Sequence, residues 1–275
     1  MKTLLIATRK GGVGKTLLAL HLAWYWAERG RTLLIDMDGQ RNASTTVAAH
    51  VINALGAAQL FHPLTLGTIE HAAPPLTDPN LFLLAADAAI DSYMKVERQP
   101  PANAGAPEHA LHTQRLQRES QMLLAFGQNY DQLAPQFDYC IIDAPPSNHL
   151  CLYAAMLKGN AVVSPIALEQ HPIEGVASTV STCQRMQRRY NPALRFAGIL
   201  VSMLDGHSRA QQDHLRTLVT QFGHLVIPTA LKKSDTLAST ARSKVPAWRL
   251  EGPTARHHAR ALREVLSVIE SRAFQ

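Results

Sequence analysis

The sequence predicts an α/β fold, a mostly parallel twisted sheet with helices on both faces. Three observations carry that prediction. Short apolar runs of strand length recur along the 275 residues, and most are separated by stretches of helical spacing. The first run, Leu4-Leu5-Ile6-Ala7, leads straight into a glycine-rich stretch and then a helical pattern. Two later runs end in aspartate, at Asp36 and Asp143, where a parallel sheet gathers its functional strand ends. Repeated strand–helix–strand units give sheets covered on both faces. We expect one domain over residues 1–275.

The first strand feeds Thr8-Arg9-Lys10-Gly11-Gly12-Val13-Gly14-Lys15-Thr16, and Leu17, Leu18, Leu20, Leu22, Ala23 and Trp26 continue as a helix ending near Gly30. Strand, glycine loop and helix together are the context a phosphate-binding loop needs. Glycines let backbone amides curl around a phosphate chain, and the helix N-terminus adds free N–H groups and the positive end of its dipole. Lys15 places its ammonium on the terminal phosphates, and Thr16 offers its hydroxyl to Mg²⁺. The usual loop begins with glycine where this chain has Arg9, and a second lysine, Lys10, opens the loop instead. This K-G-G-x-G-K-T form is the deviant Walker A box. It resembles the ParA/MinD branch of P-loop ATPases. The nucleotide-binding stretch expected from that resemblance is Lys10, Gly11, Gly12, Val13, Gly14, Lys15, Thr16 and Leu17. Leu17 stands where the family often has a second threonine, which implies a lost hydroxyl contact and weaker nucleotide binding with the chemistry intact.

The second strand, Thr32 to Ile35, ends in Asp36-Met37-Asp38-Gly39-Gln40-Arg41-Asn42-Ala43-Ser44. Carboxylates at i and i+2 of a strand end point the same way. One can enter a Mg²⁺ shell and the other can position a water for attack. The segment is similar to the family's D-x-D-P-Q-x-N-A-T/S, which implies a hydrolytic role for Asp38 and a metal role for Asp36. Two residues depart from the pattern: Gly39 replaces the usual proline, and Arg41 the usual glycine.

Residues 45–80 read as helix and then loop, with Pro63, Pro74, Pro75 and Pro79. A strand is expected at Leu81–Ala85, a short helix from about Ile90 to Glu97, and an exposed loop over Gln99–Pro107. A long surface helix follows from His109 to about Leu133. The run Phe137 to Ile142 ends in Asp143-Ala144-Pro145-Pro146-Ser147 and resembles a Walker B strand, with Asp143 holding a Mg²⁺-bound water. Next come a helix at Leu150–Leu157, a strand at Asn160–Pro165, a helix from about Ile173 to Tyr190 and a strand at Phe196–Met203. That strand is similar to the family's G-h-h-x-T-M segment, so Ser202 and Met203 are expected near the adenine. After another helix, the strand Leu225–Pro228 brings Pro228 to the same base-contacting edge. A final helix, Thr254–Arg272, carries Ala255, Ala259, Leu262, Val265, Leu266 and Ile269 on one face.

The net charge is +6, and residues 232–263 carry a local sum as large: Lys232, Lys233, Arg242, Lys244, Arg249, Arg256, Arg260 and Arg263 against Asp235 and Glu251. Clustered cations with few acids form a footprint for a phosphate backbone. Without a helix-turn-helix or zinc-finger pattern, the partner expected is non-specific DNA. Lys232, Lys233, Arg242, Lys244 and Arg249 are its candidate contacts. Arg209, close after Met203 where the family tends to have an arginine, is another. A smaller cluster is Arg185, Arg188, Arg189 and Arg195. Cys140, Cys151 and Cys183 show no C-x-x-C spacing and read as reduced core thiols. His257-His258 lacks metal-ligand spacing and reads as a solvated helix face. The apolar start is too short for a signal peptide, and no run approaches a membrane span.

The resemblance implies a partition ATPase beginning almost at its phosphate loop, with no separate N-terminal DNA-binding domain. ATP with Mg²⁺ would close two copies into a sandwich homodimer, with Lys10 reaching the phosphates of the facing copy. The dimer would bind DNA, and a ParB-like centromere-binding protein would stimulate hydrolysis. A cytoplasmic, nucleoid-associated location follows, and a membrane is not an expected partner. The competing readings are a MinD-like membrane-surface ATPase and an adaptor-type ATPase at a conjugation or cell-pole complex.

Overall fold

The computed structural model describes residues 1–47, 55–68, 78–93, 105–146, 150–169 and 172–275. Seven strands form one sheet: β1 (Lys2–Ile6), β2 (Thr32–Asp36), β3 (Leu81–Leu84), β4 (Tyr139–Asp143), β5 (Ala161–Ala167), β6 (Arg195–Leu204) and β7 (Val226–Lys232). Their order is β3-β2-β4-β1-β5-β6-β7, and every pairing is parallel. Buried strands with helices on either side read as near-continuous apolar runs, which is how β1, β2 and β4 appear.

Among the described residues the α-helices are α1 (Lys15–Ala27), α2 (Asn42–Val47), α3 (Ala106–Leu133), α4 (Leu150–Lys158), α5 (Pro172–Arg189), α6 (Arg209–Phe222), α7 (Asp235–Ser243) and α8 (Pro253–Phe274). α1, α7 and α8 pack together, as do α3, α4 and α5. α1 is buried almost all round, with Trp24 and Trp26 fully covered. The apolar face of α8 (Ala255, Ala259, Leu262, Val265, Leu266, Ile269 and Ala273) is buried, and the helix contacts β5, β6 and β7. That face is spent inside the molecule. Among the described residues no helix is long and apolar enough to cross a membrane.

Register positions the site. Ile6 and Asp36 both lie opposite Asp143, so β1, β2 and β4 end together, with the glycine loop emerging beside the two aspartates.

The expected boundaries change in four places. The short helix expected at Ile90–Glu97 is a 3-10 helix at Ala88–Tyr93, and positions 94–97 lie outside the described residues. The expected loop up to Pro107 ends earlier, because α3 starts at Ala106. Pro107 sits in its first turn, where no helical N–H is needed, and the Gly105 N–H donates to Glu108 Oε2 at 2.8 Å. β7 continues past Pro228 to Lys232. Pro228 is tolerated because β7 is an edge strand. α7 went unread in the sequence. Ser234 caps it by accepting from Leu237 N, and Asp235 favours its first turn.

Candidate active site

The loop after β1 takes the conformation its glycines permit. Gly12 (φ 74°) and Gly14 (φ 78°) are left-handed, and a Cβ added at Gly11 or Gly12 would meet nothing within 4 Å. The loop thus presents open backbone at the start of α1. Its last carbonyl is already helical, since Leu18 N–H donates to Gly14 O at 3.0 Å.

Lys15 is buried, and its Nζ lies 2.6 Å from Asp143 Oδ1 and 2.9 Å from Asp38 Oδ2. Burial alone would lower its pKa, but the charges and hydrogen bonds of Asp143 and Asp38 outweigh burial and raise it. The ammonium is therefore held charged. Thr16 Oγ1 donates to the other Asp143 oxygen at 2.8 Å. One carboxylate at the end of β4 thus holds both side chains expected to meet phosphate and metal.

Asp36 holds the turn that follows β2. Its Oδ1 accepts from Asp38 N at 3.0 Å, and its Oδ2 accepts from Ser44 N (2.8 Å) and Ser44 Oγ (2.7 Å). Burial, helped by the nearby Asp143 charge, pushes its pKa up to about 6 against those hydrogen bonds. The carboxylate fixes the turn that carries Asp38 and lies beside Asp143 on the neighbouring strand. Ser44 completes the clamp by accepting from Ala86 N at 2.9 Å. Ser44 lies in the family-like segment, but nothing in its own spacing marks it as a clamp.

Of the two departures in that segment, Gly39 has a geometric reason and Arg41 runs against its geometry. Gly39 lies against Asp91: a Cβ there would fall 1.5 Å from Asp91 Oδ1, so the usual proline would displace the carboxylate. Arg41 has φ 56°, a conformation suited to the glycine that is usual at this position.

Lys10 is half exposed, and its Nζ lies 3.1 Å from Glu169 Oε2 just beyond β5. An exposed pair of this kind is weak and leaves the ammonium available. Leu17 packs on the core, and its carbonyl accepts from His21.

At the end of β6, Ser202 is buried, with its Oγ 2.6 Å from Val13 O and 3.0 Å from Ile166 O. Its single proton serves one carbonyl or the other, so Ser202 ties the glycine loop to the sheet. Met203 is 39% exposed with φ 53°, and its methyl lies 4.0 Å from where a Gly14 Cβ would be. It borders the loop from above. Pro228 is exposed on β7.

Of the expected DNA contacts, Arg209 and Arg242 are exposed, and Lys232 and Lys233 are exposed around a cavity of about 430 Å³ shared with Asp205, His207 and Asp235. Lys244 ends α7 in a left-handed conformation. Arg249 is engaged elsewhere: its guanidinium grips both oxygens of Asp78, which is 6% exposed. Among the described residues no three His, Cys, Asp or Glu side chains form a metal cage. Mg²⁺ seldom has one, since it is usually held by one or two protein ligands together with substrate phosphates.

Residues 1–196 match the family described as AAA domain. The Escherichia coli protein IncC is 32% identical over 271 residues, covering 98% of this chain and 69% of IncC. The chromosome-partitioning ATPase Soj of Thermus thermophilus is 28% identical over 246 residues, 86% of this chain and 84% of Soj. Among solved structures, a Cyanothece McdA variant in complex with ATP matches with a TM-score of 0.76 at 19% identity, covering 98% of this chain and 96% of that one.

Proposed function

This chain belongs to the AAA domain family, in its ParA-type branch of partition ATPases, and from that membership we propose that it is an ATPase whose nucleotide state controls self-association and binding to non-specific DNA. The observation that supports this most directly is the buried Lys15 between Asp38 and Asp143, at the mouth of an open glycine loop.

The residues present fit ATP with Mg²⁺. Two carboxylates, Asp38 and Asp143, share one ammonium, with the Asp36 carboxyl beside Asp143, an acid-rich balance that a divalent cation offsets. The loop amides and Lys15 would hold the phosphates, and Thr16 with Asp143 would hold the metal. The bound group supplies a phosphoanhydride whose developing charge the site must stabilise. Asp38, fixed by Asp36 and close to Lys15, orients the attacking water. Lys10, on the exposed rim, serves the phosphates of a facing copy. Lys232, Lys233, Arg242 and Lys244, with Arg209, offer a cationic surface to DNA phosphates. In this reading a ParB-like protein stimulates turnover, and the chain acts in the cytoplasm on the nucleoid.

The test is a gel shift with non-specific DNA under ATP, ADP and no nucleotide, run beside phosphate release. ATP-dependent retardation and slow turnover are expected, both lost in Lys15→Ala. Turnover with equal DNA binding in all three states would leave an ATPase without the proposed switch, and retained ATP affinity in Lys15→Ala would remove the loop assignment.

A further inference from the structure

Arg41 stands in a conformation that the fold requires and an arginine disfavours. Among the described residues only Arg41, Met203 and Lys244 are non-glycine residues with positive φ. Strain of this kind persists where the surroundings over-determine the backbone, and it gathers at functional sites. Here the surroundings can be named. Arg41 N–H donates to Asp38 O at 2.8 Å, and Arg41 O accepts from Thr45 N (2.9 Å) and Thr45 Oγ1 (2.8 Å), which opens α2. One turn on, Ser44 is clamped to Asp36. Each of these bonds uses Arg41's backbone alone, and a glycine would make them all without strain.

Among the described residues the fold therefore gives no use to the side chain. It is exposed, and among the described residues no hydrogen bond or ion pair holds its guanidinium. It is tethered within one turn of Asp38, whose carboxylate touches the ammonium expected to meet the terminal phosphate. A guanidinium presents a planar fork of donors that matches phosphate oxygens.

We propose that Arg41 is a further functional residue of this site, a guanidinium that engages a phosphate of bound nucleotide. The phosphate belongs either to the chain's own nucleotide or to that of a facing copy. The inference rests on the ATPase reading above.

The experiment compares Arg41→Gly, Arg41→Asn and Arg41→Lys in the full chain by Tm, affinity for a non-hydrolysable ATP analogue, and steady-state turnover. Arg41→Gly relieves the strain and is expected to raise Tm by about 2 °C. Its turnover is expected to fall about tenfold or more, as when a phosphate-contacting arginine is lost. Arg41→Asn, which tolerates the left-handed region, should behave likewise. Arg41→Lys keeps the charge without the fork and should retain part of the rate. Stability rising while turnover falls is a result a purely structural role cannot produce. Mixing Arg41→Gly with Asp38→Ala separates the two phosphate sources: recovered turnover assigns Arg41 to the facing copy's nucleotide, and no recovery assigns it to its own. Wild-type turnover and affinity in Arg41→Gly would overturn the inference, whatever happens to DNA binding, and so would a joint fall of Tm and turnover. A wild-type chain that binds no ATP analogue would remove the ATPase reading and this inference together.

Discussion

Lys15 has two partners before any phosphate arrives, and that sets what a substitution at Asp38 should do. A terminal phosphate competes with Asp38 and Asp143 for one ammonium. Asp143 is the more buried of the two and also holds Thr16, so Asp38 is the partner that can let go. In the proposed reading, nucleotide entry would then free the Asp38 carboxylate for water, and hydrolytic competence would follow from binding. Asp38→Asn removes the competing charge while keeping the shape. Affinity for an ATP analogue should hold or rise a few-fold, while turnover falls about a hundredfold or more, in line with the loss of a catalytic carboxylate. Calorimetry and phosphate release measure the two separately, and wild-type turnover would take Asp38 out of the chemistry. At this scale the sequence was legible where a residue type has one use. Lys15, Thr16 and Asp143 are of that kind, and the structure brings them within hydrogen-bonding distance. Ser202 and Asp36 are less legible, because a hydroxyl or a carboxylate at a strand end serves equally to bind a ligand or to tie down a loop. The positions of Val13, Ser44 and the Asp38 amide add the tethering use, which no sequence spacing marks.

Helix α1 carries the phosphate loop at one end and is anchored through His21 in its middle. His21 is fully buried, with Nδ1 2.8 Å from Leu17 O and Nε2 accepting from Ala247 N at 3.3 Å, so the neutral ring donates along its own helix and accepts from a segment beyond α7. Trp24 and Trp248 meet the ring edge-on. Burial pushes its pKa down to about 4, against the bond to Leu17. The unfolded chain binds this proton near pH 6.5 and the folded chain only near pH 4, so His21's contribution is complete above pH 6.5 and is lost as pH falls toward 4. The loss is about 3 kcal/mol from this residue. In His21→Gln, Tm should therefore fall less steeply between pH 6.5 and 4 than in wild type. Parallel slopes would show that the ring titrates normally. Gly198 makes a different element-level demand. It has φ 145° at the irregular pairing of β5 and β6, and a Cβ would lie 2.8 Å from the Leu225 carbonyl. Gly198→Ala should cost about 2 kcal/mol or more, seen as a lower Tm with unchanged affinity of the remaining folded protein for nucleotide. Strand, loop and helix at the N-terminus could be read from sequence because each is specified locally. His21 could not, since its partner lies 226 residues away. α7 is hidden for the opposite reason: it is short, and its signal is a local Ser234 cap before only nine helical residues.

Across the whole molecule, the basic segment divides into cations that hold the fold together and cations that face outward, a division the linear sequence conceals. Arg249 grips Asp78, and Arg263 binds Glu28 and stacks on Trp248 at 4.2 Å. Their charge is locally offset, so the patch is less basic than its composition suggests. Lys232, Lys233 and Arg242 are exposed around the ends of β7 and α7. The two groups should respond differently to charge reversal. Reversing Lys233 and Arg242 to Glu should weaken binding to non-specific DNA and reduce its salt slope by about one per lost phosphate contact, with Tm nearly unchanged. Arg249→Glu instead sets a carboxylate against the buried Asp78 and should cost about 1–2 kcal/mol of stability, discounted for the partial exposure of Arg249. DNA binding by the folded fraction of that variant should keep its salt slope. Gel shifts across a salt series, paired with thermal melts, distinguish the outcomes. If Arg249→Glu alone flattened the slope while Lys233 and Arg242 did not, the DNA face would lie toward Asp78 and away from the ends of β7 and α7.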